Sequence, residues 1–490
     1  MDILYIHPAK HAVGPKYVGL GTPYTFMPVG VVALANLLRS QGFAVAGVNY
    51  PAQLAKDPDY DLLRWLADYP EARVVLIDLH WYEHSHGALE VARVCKHILP
   101  QARTVVGGMT ASIFADEIIA AFPYVDYVVR GDAEGPLVQL VRALCNGDEV
   151  AAAASPNIVY RRGEIIYSKA QSYVADAEML DRLDFVDLSF LHDANWYRRL
   201  QFSATGLTSS DAAATGHWLC VGRGCYANCS FCGGGARAHE AIFRRKGVLT
   251  RSPARVASDI GRLADLGVRQ VSFNLDPAML GERYAAELFS LVRTGGTRLG
   301  LYNEQFWLPK PRFLRDLAAT FDVSYSELAF TLLSGCEQVR RRNGKPFSNR
   351  EFLSLLPFLR EIGMPIYVYF SLNLPGEDEH AFEQTLTLAQ ILVDSYPPQL
   401  LKMINMLHTL DPLSPLARQP AKFGVEVHYG RFRDYYNYCR ATPAARQGVI
   451  PVGLRGFEDN SGRSLSHMVE RWNAFADRHG GMIYPVPPTW

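Results

Sequence analysis

Short apolar runs alternate with helical patterns through residue 147. The runs "ILYIHP", "FAVAGVNY", "RVVLIDLHW", "RTVVGG" and "VDYVVRG" are separated by segments such as "PVGVVALANLLRSQG". Strands this apolar, each followed by an amphipathic helix, form the pattern of a parallel sheet covered on both faces. The expectation is an α/β chain opening with a doubly wound, Rossmann-like domain over residues 1–150. Ligands of such sheets bind beyond the C-terminal strand ends, which here carry "HPAKHAVGPKY", "LHWYEHSHG", "GGMTAS" and "RGDAEG".

Residues 151–212 read as a hairpin turning at Arg162 and Gly163, followed by a polar linker. A second alternation then runs through "HWLCVGRGC", "VRQVSFNLD", "RLGLYNEQFW", "SYSELAFTLLSG", "PIYVYFSLNLP" and "LLKMINML". Six strand-and-helix pairs over residues 213–411 predict a partial (β/α)6 barrel. Residues 412–490 are helix-rich and aromatic, which fits a packing cap over the barrel or a substrate lid.

Charge narrows the partners. Lys plus Arg and Asp plus Glu both number 49, so no overall field recruits nucleic acid or an anionic membrane. No stretch approaches the length of a membrane span, and "MDILYIHPAK" reads as a first strand rather than a signal peptide. A cytoplasmic protein is expected. Of eight cysteines, those at 220, 225, 229 and 232 are clustered, which points to metal binding rather than disulfides.

The sharpest chemical signal is "GRGCYANCSFCGGG", where Cys225, Cys229 and Cys232 stand at C-x3-C-x2-C spacing. Three thiolates on one tight loop can face an iron–sulfur cluster and leave one iron open to a substrate. A zinc knuckle is the alternative and would want a fourth ligand; Cys220 sits within the apolar run "HWLCV", where a strand directs it into a core. With Phe231 before the last cysteine and a barrel strand before the first, the segment resembles the radical S-adenosylmethionine superfamily. The resemblance implies a [4Fe-4S] cluster whose open iron binds S-adenosylmethionine. Reductive cleavage then yields a deoxyadenosyl radical that abstracts a substrate hydrogen.

Other cofactor contacts follow from the same resemblance. Gly233 and Gly234 would allow close backbone approach to S-adenosylmethionine. "LLSGCEQVRRRNGKPFS" resembles the family segment with Ser334 and Arg340 in place, but Leu333 stands where a Glu is usual. Ser371 and Asn373, at the end of the next strand, are candidate ribose or adenine contacts.

The domain order resembles the branch of that superfamily with an N-terminal cobalamin (B12)-binding domain. Its usual segments match "MPVGVVALANLLRSQGFAVAGVNY", "VVGGMTAS" and "YVDYVVRGDAEGPL". Cobalamin itself is uncertain and is expected to be absent. Asp78 and His80 share the first spacing of the D-x-H-x-x-G corrin motif, but Glu83 replaces the glycine and the segment follows the third strand rather than the first. Trp81, Tyr82 and Glu83 are expected to wall off the corrin face.

Within that branch the arrangement resembles the radical dehydratase of the apramycin pathway, which acts on an aminoglycoside diol. The resemblance implies a polar, amino-sugar-like substrate, an external electron donor or reductase, and acid–base groups. Glu83, Asp276, Glu304 and Glu377 lie at expected strand ends, with His80 and Tyr302 as candidates for proton or hydrogen transfer. The alternative is a cobalamin-dependent C-methyltransferase with methylcobalamin between the domains. A noncatalytic iron–sulfur electron carrier or sensor is a third possibility.

Overall fold

A computed structural model describes residues 1–11, 25–202, 213–407, 409–442 and 463–486. The chain divides into two compact units. The first comprises Met1–Tyr197, Arg237–Lys246 and the described residues of Tyr429–Val449; the second comprises the rest.

The first unit is built on a seven-stranded sheet. Its strands are β1 (Ile3–His7), β2 (Val45–Asn49), β3 (Val74–Asp78), β4 (Arg103–Gly107), β5 (Tyr127–Val129), β6 (Ile158–Arg162) and β7 (Ile165–Ser168). Their order is β2-β1-β3-β4-β5-β6-β7. The first five are parallel, as expected, and the order reverses between β1 and β3, where such sheets bind ligands. Beyond β5 the hairpin adds β6 and β7 as antiparallel strands.

Residues 151–197 are therefore part of this unit, not a free linker. Gly47 leaves room for the Phe190 ring, and its N–H donates to the Phe190 carbonyl at 2.8 Å. Asn157 supports the sheet edge by donating to the Tyr173 carbonyl at 2.9 Å and accepting from the Ser172 N–H at 2.9 Å.

The helix Ser85–Ile98 buries Ala88, Leu89, Val91, Ala92 and Cys95, a helical spacing that presents one face to the core. On it lies the helix Phe432–Ala441, with Tyr82 edge-on to Tyr435 at 5.1 Å. The tail from residue 412 is thus not one cap: the helix Phe432–Ala441 belongs to the first unit and the helix Arg463–Arg478 to the second.

The second unit carries β8 (Gly216–Leu219), a small pair of β9 (Gly222–Gly224) and β10 (Val248–Thr250), then β11 (Gln270–Phe273), β12 (Gly300–Gln305), β13 (Glu327–Leu333), β14 (Ile366–Leu372), β15 (Leu401–Leu407) and β16 (Ile483–Tyr484). Apart from the β9–β10 pair these form one parallel sheet, ordered β8-β11-β12-β13-β14-β15-β16. The six expected barrel strands are present, with β16 added at the edge.

One face of this sheet is apolar and covered by helices: Phe273 meets Phe321, Phe330 meets Phe352 and Phe370 meets Trp472. Burying each such ring contributes about 1.5–3 kcal/mol. The opposite face carries the half-buried or exposed Trp218, Glu304, Thr331, Tyr367, Tyr369, Lys402, Ile404 and Met406, and so forms the interior of the partial barrel. No described helix is long and apolar enough to cross a membrane.

Candidate active site

The cysteine loop follows β9 and is held by its own backbone. The Ala227 N–H donates to the Cys225 sulfur and the Gly234 N–H to the Cys232 sulfur, each at 3.3 Å. Such donors stabilise thiolates bound to iron. Two other segments clamp the loop: Ser230 Oγ donates to Asn343 Oδ1 at 2.5 Å, and the Leu416 N–H donates to the Ser230 carbonyl at 2.8 Å. Burial pushes the Cys232 thiol up to about 12 and also raises Cys229. Buried thiols lacking counter-charge hold their protons, whereas a cationic iron cluster favours the thiolate. Three cysteines on one short loop, two of them with N–H donors to sulfur, thus fit a cluster.

Gly233 and Gly234 differ in what surrounds them. A Cβ at 233 would overlap the Asp411 carboxylate, while one at 234 would meet only Cys232 Sγ, at 3.8 Å. Burial pushes Asp411 up to about 6.

The ends of β13 and β14 are strained. Leu333 and Asn373 have φ of +66° and +67°, a region that bulky residues rarely adopt. The β13–β14 register also shifts between Thr331 and Leu333. Such outliers concentrate where function needs a particular backbone path. Ser371 and Asn373 are buried there, and Asn373 Nδ2 has no hydrogen-bond partner among the described residues.

Ser334 and Arg340 are occupied locally. Ser334 Oγ accepts from the Cys336 N–H at 3.1 Å and pairs with Thr385 Oγ1 at 3.2 Å. Arg340 donates to the carbonyls of Leu332, Ser334 and Phe347 and to Asn349. Desolvation lowers Arg340 to about 10. Its guanidinium thus shapes the loop rather than pointing to a ligand.

On the interior face, the structure brings Tyr302 and Glu304 together: Tyr302 Oη donates to Glu304 Oε1 at 3.3 Å and lies 3.4 Å from Tyr369 Oη. Trp218 packs edge-on to Tyr302 at 5.7 Å. Burial raises Glu304, against the pull of Lys345 and of the Tyr302 hydrogen bond.

Asp276 caps the turn Pro277–Leu280 by accepting from the Ala278 N–H at 2.9 Å, and its other oxygen accepts from the Phe306 N–H, just past β12, at 3.2 Å. Burial pushes it up to about 7. Glu377 is buried at the end of β14 with Oε1 unpartnered among the described residues, and burial pushes it up to about 8.

Lys345 was not foreseen. Its charge acts on Cys229, Asp276 and Glu304, and its ammonium donates to the Phe306 carbonyl at 3.1 Å. The signal was present in "NGK", which also supplies the clamp on the cysteine loop.

His80 and Glu83 lie in the first unit. Tyr82 and Glu83 are buried, with Tyr82 against the helix Phe432–Ala441, so they do not form the expected wall. Only His80 and Trp81 stay half-buried. Asp78 does not pair with His80; its carboxylate oxygens lie 2.9 and 3.1 Å from His7 Nδ1, and Tyr5 donates to it as well. Burial opposes ionisation of Asp78, but His7 and these hydrogen bonds hold it below its usual range. Desolvation lowers His80 to about 4 and His84 to about 3, leaving both neutral.

Comparison with known proteins follows the same division. Residues 15–141 match the B12 binding domain and residues 219–389 the radical SAM superfamily. A tRNA-2-methylthio-N(6)-dimethylallyladenosine synthase of Bifidobacterium adolescentis is 26% identical over 321 residues, covering 63% of this chain and 56% of that protein. The hopanoid C-3 methylase of Methylococcus capsulatus is 25% identical over 308 residues, covering 62% and 52%. The chain thus spans about half the length of these two curated relatives.

The fold is shared with the radical S-adenosylmethionine methyltransferase TsrM of Kitasatospora setae, solved with cobalamin and a [4Fe-4S] cluster. That match has a TM-score of 0.65 at 16% identity and covers 100% of this chain and 92% of that one. The finer resemblance to an aminoglycoside dehydratase has no counterpart among these proteins. The chain carries a domain of the B12-binding type followed by a radical SAM domain.

Proposed function

We propose that the protein is a cobalamin-dependent radical SAM methyltransferase acting on a polar small molecule. The carrying observation is the Cys225, Cys229 and Cys232 loop, with N–H donors on two of its sulfurs, in a chain that also has a B12-binding-type domain. When bound, the cluster supplies the electron that cleaves S-adenosylmethionine, and the corrin supplies a transferable methyl group. This replaces dehydration as the leading proposal, because a methylase and a methylthio-group synthase are among the relatives.

Inward burial of Tyr82 and Glu83 supports corrin binding by removing the bulk expected at the strand edge. Gly108, with φ of +113°, brings the β4 loop against Leu79, where a Cβ would come within 2.7 Å of the carbonyl oxygen. The loops after β3 and β4 therefore pack backbone to backbone beside Trp81 and His80. Equal numbers of basic and acidic residues, 49 each, favour a small substrate over a polyanion.

The chain's own groups set the chemistry around the substrate. Ser371 and Asn373 would hold S-adenosylmethionine at the strained strand ends, together with the Gly233–Gly234 backbone. Lys345 offsets negative charge near the cysteine loop, and Trp218, Tyr302 and Tyr369 form an aromatic wall beside Glu304. An external reductase is the natural electron source.

The Tyr302–Glu304 hydrogen bond supports a second proposal, radical dehydration without corrin. A carboxyl raised by burial, joined to a phenol, can exchange a proton with a substrate hydroxyl. The test is anaerobic loading with iron, sulfide and hydroxocobalamin, followed by desalting and absorption spectroscopy. One corrin retained per chain supports methyl transfer. Cleavage of S-adenosylmethionine by a chain that retains no corrin overturns it in favour of dehydration.

A further inference from the structure

Outside the site described above, the ends of β1 and β3 and the turn Tyr82–His84 bring His7, Asp78 and His84 together in the first unit. One donor atom from each lies within 4.8 Å of the other two. His7 and His84 are fully buried and Asp78 is nearly so. The two imidazoles face each other near-perpendicularly, with centroids 5.1 Å apart.

The surroundings are those of a built donor set. Tyr5 donates to Asp78, fixing the carboxylate as an outer partner fixes a metal ligand. A buried carboxylate is costly without positive charge nearby. Two imidazoles and one carboxylate suit a divalent first-row ion with a position left open. Bonds of about 2.1 Å separate opposed ligands by up to about 4.2 Å, and these donors, all within 4.8 Å of one another, already lie near that span.

We propose that His7, Asp78 and His84 bind one divalent transition-metal ion, separate from the iron–sulfur cluster. The ion ties the ends of β1 and β3 to the loop that presents Trp81, whose ring lies edge-on to His7, His80 and His84 at 6.4, 4.8 and 5.9 Å. It therefore stiffens the strand edge at which a B12-binding-type domain receives its ligand. The competing explanation is a hydrogen-bonded triad that needs no ion.

Zinc distinguishes the two without interference from iron. The full-length, cluster-loaded protein is washed with a mild chelator, given one equivalent of Zn(II), desalted, and analysed for zinc per chain and by zinc K-edge X-ray absorption. The expected result is one zinc per chain in a nitrogen and oxygen shell with imidazole scattering. His84→Gln and His7→Gln should each retain at least tenfold less zinc at unchanged iron content. No retained zinc, sulfur in the zinc shell, or full retention by both variants overturns the site. Should either variant fail to fold by circular dichroism, the absorption spectrum of the unsubstituted protein decides alone.

Discussion

Gly344 lies so close to Cys229 that a Cβ at 344 would come within 2.8 Å of the Cys229 Cα. Its φ of +96° also belongs to a region that residues with a Cβ avoid. Gly344→Ala therefore displaces the loop carrying the central cysteine while leaving the barrel core intact. Iron per chain after anaerobic loading should fall several-fold, with the far-ultraviolet circular dichroism unchanged.

Glu377 makes stability depend on pH. Its folded value of about 8 lies above the ordinary 4.5, so between these values the folded state binds more protons than the unfolded one. Stability then falls as pH rises through that window, by up to about 1.4 kcal/mol per pH unit. Glu377→Gln should flatten this decline and raise the melting temperature at pH 8. Melting curves from pH 5 to pH 8 on both proteins check it.

Asn373 separates backbone need from side-chain need. Because φ is +67°, Asn373→Ala should cost about 1–2 kcal/mol of stability, whereas Asn373→Gly should cost little. If Nδ2 contacts S-adenosylmethionine, both variants weaken its binding, which calorimetry on the cluster-loaded protein measures. Unchanged affinity in the glycine variant removes Asn373 from the cofactor contacts.

Asp259 supports the approach to the cysteine loop. It pairs with the fully buried Arg251 at 2.7 Å, and Arg251 in turn donates to the Cys220 carbonyl at 3.0 Å. Asp259→Ala leaves that guanidinium without its buried counter-ion, and losses of about 3–5 kcal/mol are typical of such a break. Chemical denaturation should show it as a lower midpoint with unchanged slope.

Strand positions were legible because burial on both faces writes itself into consecutive residues. "RVVLID" contains β3 and "RTVVG" matches β4. The cysteine loop was legible from spacing alone. What escaped was set by contacts distant in sequence. Tyr82 is covered by Tyr435, a partner more than 350 residues away, so a loop that reads as polar turns part of its bulk inward. His7 and Asp78 end strands that are adjacent in space but lie 71 residues apart, so their pairing had no local signature. Leu333, where a Glu is usual, read as a lost contact; the structure shows it at a bulge with a left-handed backbone.

The central claim is that Cys225, Cys229 and Cys232 hold a cluster whose open iron activates S-adenosylmethionine. Its direct test is the yield of 5′-deoxyadenosine, by liquid chromatography and mass spectrometry, from the anaerobically loaded protein given dithionite and S-adenosylmethionine. The unsubstituted protein should form it, and Cys225→Ala, Cys229→Ala and Cys232→Ala should each lose it. Undiminished formation in any one of the three would contradict the assignment.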